Sequence, residues 1–184
     1  MNKMIQRMMG LSLAVMLVMS TVTFADGADY GSAGAAEKGE YTNEYSIEEM
    51  LIYALQDEYA ARAEYNAIQN VFGEQRPFSN IEKSEERHIE WLLPLFEEYR
   101  VELIEDTAVD HLLIPETLAE AFTVGVQAEI ANIAMYDKFL DQELPDDIRS
   151  VFESLKSASE NHLKAFERGA ERSGGPRNGG RSRN

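Results

Sequence analysis

Residues 46–73 read SIEEMLIYALQDEYAARAEYNAIQNVFG, and this stretch decides the fold. It begins with a capping box, in which the side chains of Ser46 and Glu49 satisfy backbone N–H groups at a helix start. Apolar residues then recur at three- and four-residue steps as far as Phe72, which is the period of a helix with one buried face. Gly73 follows, and glycine commonly ends helices. The stretch therefore predicts one long amphipathic helix.

Three more stretches have the same period, and each follows a proline. Proline is favoured in the first turn of a helix because its missing N–H needs no partner there. Strand-like alternation of apolar and polar residues is absent from the sequence between residues 46 and 168. We therefore predict an all-α domain whose further helices cover about residues 77–100, 115–141 and 145–169.

The connections between these helices predict their topology. The first and the last connection are short, so each should join an antiparallel helix hairpin. The middle connection, from Val101 to Ile114, reaches roughly 46 Å when extended, against roughly 36 Å for the second helix. It can therefore cross the whole length of the domain. Two hairpins joined by one long crossover form the ferritin-like four-helix bundle.

The buried face of each predicted helix is apolar except near its middle. The polar residues there are Glu58, Glu85, His88, Glu129, Asn132, Ser159 and His162. Residues equidistant from the turn of an antiparallel hairpin lie side by side, and Glu58 and His88 are centred on Gly73. Glu129 and His162 are likewise centred on the second turn. We therefore expect one polar layer that crosses all four helices.

Three carboxylates in a buried layer require compensation. A buried charge without a partner costs several kcal/mol or takes up a proton. A divalent cation would compensate it, because oxygen and imidazole ligands suit iron, manganese or zinc. Glu85 and His88 lie one helical turn apart, so both can face the same ion.

A known family carries a similar pattern. The motif Glu58-x-x-Ala61-Arg62-x-x-Tyr65, followed by Glu85-x-x-His88, resembles the first hairpin of rubrerythrin and other ferritin-like proteins. Residues 46–168 are similar to the ferritin-like family known as domain of unknown function 2202. The resemblance implies that the metal ligands are Glu58, Glu85, His88, Glu129 and His162, with Tyr65 and Tyr136 as their hydrogen-bonding partners.

The second half departs from the family pattern in one position. Ser159 stands where a second Glu-x-x-His motif would have its glutamate, so one carboxylate that could bridge two ions is missing. We expect Asn132 to be a hydrogen-bonding core residue rather than a ligand. The sequence leaves open whether one or two ions bind, and whether they are iron or manganese.

The two ends of the chain differ from the bundle. Lys3 and Arg7 precede an apolar run of about 12 residues, too short to span a bilayer, and a small-residue cleavage site ends at Ala25. We predict a signal peptide over 1–25, with a retained membrane anchor as the alternative, and therefore an exported protein without a stable membrane span. Residues 26–45 are predicted to be a flexible linker, and 169–184 a disordered tail rich in glycine and arginine.

Composition limits the function further. The formal net charge of −16 argues against nucleic acid as a partner, since phosphate binding needs a positive surface. The absence of cysteine excludes disulfides, thiolate metal sites and a built-in rubredoxin-type electron donor. The resemblance implies Fe(II) oxidation, or reduction of O₂ or peroxide, as the chemistry. The alternative is a non-catalytic exported bundle, an envelope or interaction module that keeps the polar layer. The sequence leaves the oligomeric state open.

Overall fold

The structure is a computed structural model that describes residues 30–174. This part of the chain is helical and contains no strand, so the all-α prediction is confirmed. A short 3₁₀ helix, Ala108–His111, lies in the long connection before α4. The five α-helices are α1 Gly31–Lys38, α2 Ile47–Phe72, α3 Phe78–Glu98, α4 Leu118–Leu140 and α5 Asp146–Gly174.

The ends of α2 follow the sequence signals. Ser46 accepts a hydrogen bond from the backbone N–H of Glu49, whose side chain accepts one from the backbone N–H of Ser46. Gly73 ends the helix with φ +80°, in the left-handed region that favours glycine. A second capping box starts α4, where Thr117 and Glu120 exchange the same bonds. The predicted start at Pro115 is therefore too early, because Thr117 is the N-cap of α4.

Contacts between side chains give the directions of the helices. α2 packs on α3 and α4 on α5, and the two pairs join through α2 with α4 and α3 with α5. Tyr65 bonds to Glu129 while Glu58 bonds to Tyr136, so α2 and α4 run in opposite directions. Since α2 and α3 are joined by a short turn and are also antiparallel, α3 and α4 run the same way. The connection between α3 and α4 therefore returns along the length of the helices.

Two apolar clusters fill the space between the helices. One holds Leu55, Leu92, Tyr136 and Leu155, and the other holds Tyr65, Ile81, Phe122 and Phe166. On each of the helices α2 to α5, the polar residues predicted from the sequence lie between a member of one cluster and a member of the other. The polar layer therefore divides the core.

The predicted flexible linker over 26–45 is wrong for residues 31–38, which form α1. This helix packs on α2 and α4, with Gly31, Gly34 and Ala35 buried. Tyr45 donates a hydrogen bond to the carbonyl oxygen of Ala35 at 2.6 Å. α1 was missed because it packs through glycine and alanine, which allow a close approach but leave no apolar period in the sequence.

The predicted end of the last helix at Gly169 is also wrong, because α5 continues to Gly174. Gly169 serves close packing: a Cβ atom there would lie 2.2 Å from the Phe122 ring. The predicted signal peptide and most of the predicted tail lie outside the described residues. None of the helices in residues 30–174 is long and apolar enough to cross a membrane.

Candidate metal centre

The five predicted ligands come from four helices and meet in the polar layer. α2 provides Glu58, α3 provides Glu85 and His88, α4 provides Glu129, and α5 provides His162. All five are buried, with at most 9% of any residue exposed. Helical spacing explains the pair on α3, because residues three apart project from the same face. The structure therefore brings the five side chains together as the sequence predicts.

Glu85 lies at the middle of this cluster and faces both imidazole rings. Its Oε2 lies 2.6 Å from Nδ1 of His88, and its Oε1 lies 3.2 Å from Nδ1 of His162. The two rings are nearly parallel, with centroids 5.7 Å apart and an interplanar angle of 22°. Each oxygen of one carboxylate thus serves a different imidazole.

The remaining two carboxylates each pair with one imidazole. Oε2 of Glu58 lies 3.0 Å from Nδ1 of His88, and Oε1 of Glu129 lies 3.5 Å from Nδ1 of His162. Two groups of potential ligands result, and in each the ligand atoms lie within 4.8 Å of one another. Glu58, Glu85 and His88 form one group, and Glu85, Glu129 and His162 form the other.

The two predicted tyrosines hold the outer carboxylates from opposite helices. Tyr136 on α4 donates to Oε1 of Glu58 on α2, and Tyr65 on α2 donates to Oε1 of Glu129 on α4, both at 3.0 Å. Burial, and then the nearby carboxylates, raise the pKa of both hydroxyls well above the usual value, so they remain donors. This crossed pair fixes the orientation of both carboxylates.

The outer side of His88 is also held in place. Its Nε2 lies 3.2 Å from Oγ of Ser84, one turn earlier on α3. The Trp91 ring lies 5.2 Å away and is 45% exposed, so it stands between the imidazole and solvent. A contact on the far nitrogen orients a ligand imidazole. Nδ1 of His88 therefore points at the carboxylates.

In this arrangement, the imidazoles and carboxylates share protons. Burial lowers the pKa of both imidazoles, but the hydrogen bonds that they donate to the carboxylates outweigh it, giving a pKa of about 9 for His88 and about 10 for His162. Burial raises the pKa of Glu85, but the two imidazoles outweigh it and bring the value to about 2. Burial raises the pKa of Glu58 to about 8 and also raises that of Glu129. The cluster thus concentrates negative charge at Glu85 and positive charge on the two rings.

The two other predicted residues lie at the layer without joining either ligand group. Ser159 is buried on α5, one turn before His162, where a glutamate would have supplied a further carboxylate. Asn132 is buried too, and its amide nitrogen donates to Oδ2 of Asp57. The Oδ1 atom of Asn132 is buried without a hydrogen-bond partner, and Asn132 belongs to neither ligand group.

Asp57 is a further polar residue of this region, and the sequence pattern does not predict it. It bonds to Asn132 and also accepts a hydrogen bond at 2.9 Å from the backbone N–H of Ser32 in α1. Burial raises its pKa to about 6 despite those bonds. Its neighbour Glu58 occupies the buried face, so the periodicity placed Asp57 off that face. Only the presence of α1 explains its burial.

Comparisons with known proteins support the fold and name no activity. No protein family model matches the chain, so the resemblance to domain of unknown function 2202 stays a prediction. The chain is similar to the uncharacterized protein MJ0754 of Methanocaldococcus jannaschii, with 27% identity over 135 residues, 65% of this chain and 72% of that protein. A crystal structure of hypothetical protein MJ0754 from Methanococcus jannaschii aligns with a TM-score of 0.61 and 25% identity over 71% of this chain and 85% of that one.

Proposed function

We propose that this chain is an exported ferritin-like protein that holds two divalent ions, iron or manganese, in the core of a bundle made by α2 to α5. One observation carries the proposal: Glu85 presents one carboxylate oxygen to each imidazole. Each half of the cluster then has an imidazole, a carboxylate of its own and a share of Glu85. With Ser159 in place of a second glutamate, Glu85 is the carboxylate that the two groups share.

The helix directions support the ferritin-like part of the proposal. α2 and α5 run one way and α3 and α4 the other, with the long connection between the second and third bundle helices. That order of directions is the one a four-helix bundle with a single crossover requires. α1 is an addition that packs on α2 and α4.

The chemistry of the donors fits such ions. Carboxylate oxygens and imidazole nitrogens suit divalent iron and manganese, and three glutamates supply most of the balancing negative charge. Iron or manganese bound there would supply one-electron redox chemistry, toward Fe(II) oxidation or the reduction of O₂ or peroxide. Tyr65 and Tyr136 hold the outer carboxylates, and the two apolar clusters exclude water on both sides. Because the sequence has no cysteine, repeated turnover would need an external reductant.

Elemental analysis of purified protein loaded with Fe(II) or Mn(II) tests the binding. We expect about two ions per chain in wild type and near none in Glu85→Gln, because Glu85 belongs to both ligand groups. Glu86→Gln is the matched control, since it removes the same charge from the adjacent, exposed position on α3. Absence of metal in the loaded wild type would refute the proposal.

Single imidazole variants distinguish two ions from one. His88→Ala should lose the ion of the first group and His162→Ala that of the second, so each should retain about one ion. If either variant loses all metal, the cluster holds a single ion that both imidazoles share. Oxygen consumption during Fe(II) addition then measures the redox part of the proposal separately from binding.

The export part rests on residues 1–25, which lie outside the described residues. N-terminal sequencing of the protein secreted by its own host tests it, with Asp26 expected as the first residue. An N-terminus at Met1 in cytoplasmic protein would contradict export and leave the metal proposal intact.

The second candidate function is a non-catalytic exported bundle, and one observation favours it. The carboxylates and imidazoles of the cluster pair with each other at 2.6 to 3.5 Å, so these five side chains have partners among themselves. If the bundle is non-catalytic and binds no metal, its melting temperature should not change when Mn(II) or Fe(II) is added. The metal proposal predicts a rise of the melting temperature with metal concentration, which Glu85→Gln abolishes.

A further inference from the structure

A cavity of about 270 Å³ lies beside the candidate metal centre, between α1, α2, α4 and the 3₁₀ helix. None of the five candidate ligands lines it. Asp57 separates the two sites, because it lines the cavity and bonds to Asn132 in the polar layer. The volume is near the lower end of the range for small-molecule pockets, about 300–1,000 Å³, which limits an occupant to a few carbon atoms.

The wall of the cavity is mostly apolar. Seven alanines from all four surrounding segments line it. At one side Tyr30 and His111 stack with ring centroids 4.5 Å apart and close the gap between α1 and the 3₁₀ helix. This wall accommodates an aliphatic body and offers few polar contacts.

Two polar residues of the wall have a buried oxygen without a hydrogen-bond partner, Tyr30 and Glu64. Burial raises the pKa of the Tyr30 hydroxyl to about 12, so the residue of this pair that can carry a negative charge near neutral pH is Glu64. Its Oε1 atom is buried and has no hydrogen-bond partner, and it takes part in none of the ion pairs found within residues 30–174. Burial, followed by the charges of Glu129 and Asp57, raises its pKa to about 7. A buried carboxylate without a partner is costly unless it is protonated or a cation approaches it.

The arrangement selects one class of ligand. Within residues 30–174, groups of three metal-ligating side chains occur only in the core cluster, so a chelated metal ion does not fit the cavity. Asp57 and Glu64 disfavour an anion, and an uncharged ligand would leave the Glu64 carboxylate without a counter-charge. A compact organic cation satisfies both the carboxylate and the alanine wall.

We propose that this cavity binds a small aliphatic primary ammonium ion, with the Glu64 carboxylate accepting hydrogen bonds from the ammonium group and the alanines surrounding the alkyl chain. The ammonium group is a strong donor, and its bond to a carboxylate is of the charge-assisted kind. The site is separate from the metal centre and does not depend on the proposed function.

Isothermal titration calorimetry of the full-length protein with n-butylammonium tests the proposal. The titration is done with a chelator present, so that the metal centre cannot bind the amine, and near pH 8, where Glu64 is ionised and the amine protonated. We expect saturable binding of one molecule per chain with a Kd on the order of 1 mM, typical of so small a ligand. Glu64→Gln should weaken it by about tenfold or more.

Three comparisons decide the outcome. Ala60→Leu, which fills the cavity, should abolish binding, whereas Glu74→Gln, which removes an exposed carboxylate of the same helix hairpin, should leave it unchanged. n-Butanol, which has the same alkyl chain, should bind at least about tenfold more weakly. Equal binding of n-butanol, unchanged binding in Glu64→Gln, or no saturable binding in wild type would each overturn the proposal.

Discussion

The core cluster and the α1 cavity both bury carboxylates, and they treat them differently. In the cluster, Glu58, Glu85 and Glu129 face two imidazoles and two tyrosine hydroxyls, so each has a partner from another helix or turn. In the cavity, Oε1 of Glu64 has none. Glu58 and Glu64 nevertheless lie on the same helix, α2, only about 1.7 turns apart.

This difference explains how each site responds to the loss of a ligand. The cluster stays satisfied without metal because protons on its imidazoles replace the cations, as their raised pKa values indicate. Glu64 takes part in none of the ion pairs found within residues 30–174, and burial raises its pKa to about 7. The core cluster therefore needs no ligand to pair its carboxylates, whereas the carboxylate of Glu64 in the cavity favours a cation from outside the chain.

The largest expected effect on stability comes from a substitution in the core cluster. Glu85→Gln removes the carboxylate that both imidazoles share, and breaking a buried ion pair by removal of one partner costs about 3–5 kcal/mol. Urea unfolding in the presence of a chelator measures this loss in the free energy of unfolding. Glu86→Gln should change it by less than about 0.5 kcal/mol. Equal stability of the two variants would mean that Glu85 does not hold the imidazoles.

The next largest effect concerns Glu64 in the cavity. Here the substitution is expected to raise the free energy of unfolding rather than lower it. The pKa of Glu64 rises from 4.5 to about 7 on folding, so wild type loses stability as the pH rises through that window. Glu64→Gln removes this loss. Relative to wild type, the variant should therefore gain about 2–3 kcal/mol in the free energy of unfolding between pH 4 and pH 8. An exposed control, Glu74→Gln, should show no such gain, and a pH-independent difference for Glu64→Gln would contradict the burial of an unpaired carboxylate.

A third variant separates the two regions. Gly31 has φ +56°, and a Cβ atom there would lie 3.0 Å from Oδ1 of Asp57, so Gly31→Ala should loosen α1 at a cost of about 2 kcal/mol. Hydrogen exchange should then speed up in residues 31–38 while metal content stays near that of wild type. Loss of metal in Gly31→Ala would show that α1 supports the cluster through Asp57. Ser32→Ala keeps the backbone N–H bond to Asp57 and removes the side-chain bond of Ser32 to the same carboxylate, so it measures that hydroxyl separately.

The smallest expected effect tests whether the two halves of the cluster are equally stable. Tyr65→Phe and Tyr136→Phe each remove one hydrogen bond of 3.0 Å to a carboxylate, and each should lower the free energy of unfolding by about 1–2 kcal/mol. The two losses should agree within error because the crossed bonds are equivalent. A loss confined to one tyrosine would show that the two halves of the cluster differ in energy.

Much of the cluster follows from periodicity alone. Glu58, Glu85, His88, Glu129 and His162 each interrupt an apolar helix face, and positions equidistant from a tight turn meet in an antiparallel pair. Those two rules are local, so they hold without knowledge of the rest of the fold. That these five residues are metal ligands stays a prediction until the metal content is measured.

The region around α1 was less predictable for a physical reason. α1 packs through Gly31, Gly34 and Ala35, whose small side chains carry almost no signal of burial in a sequence. Asp57 and Glu64 line the cavity beside α1, so the sequence of α2 alone carries no signal of their environment. The predicted helix end at Gly169 is wrong for a similar reason. Its glycine is required by close contact with the Phe122 ring, and the sequence pattern does not distinguish such a glycine from one that ends a helix.

The sequence by itself determined the all-α class, the four long helices, and the depth of the polar layer, because helical period and turn position depend on neighbouring residues only. The tertiary structure decided that Glu85 divides its two oxygens between two imidazoles, and that α1 closes a cavity over Glu64. Both features depend on how closely and at what rotation separate helices approach each other. Those quantities are set by packing between distant residues, which no local pattern records.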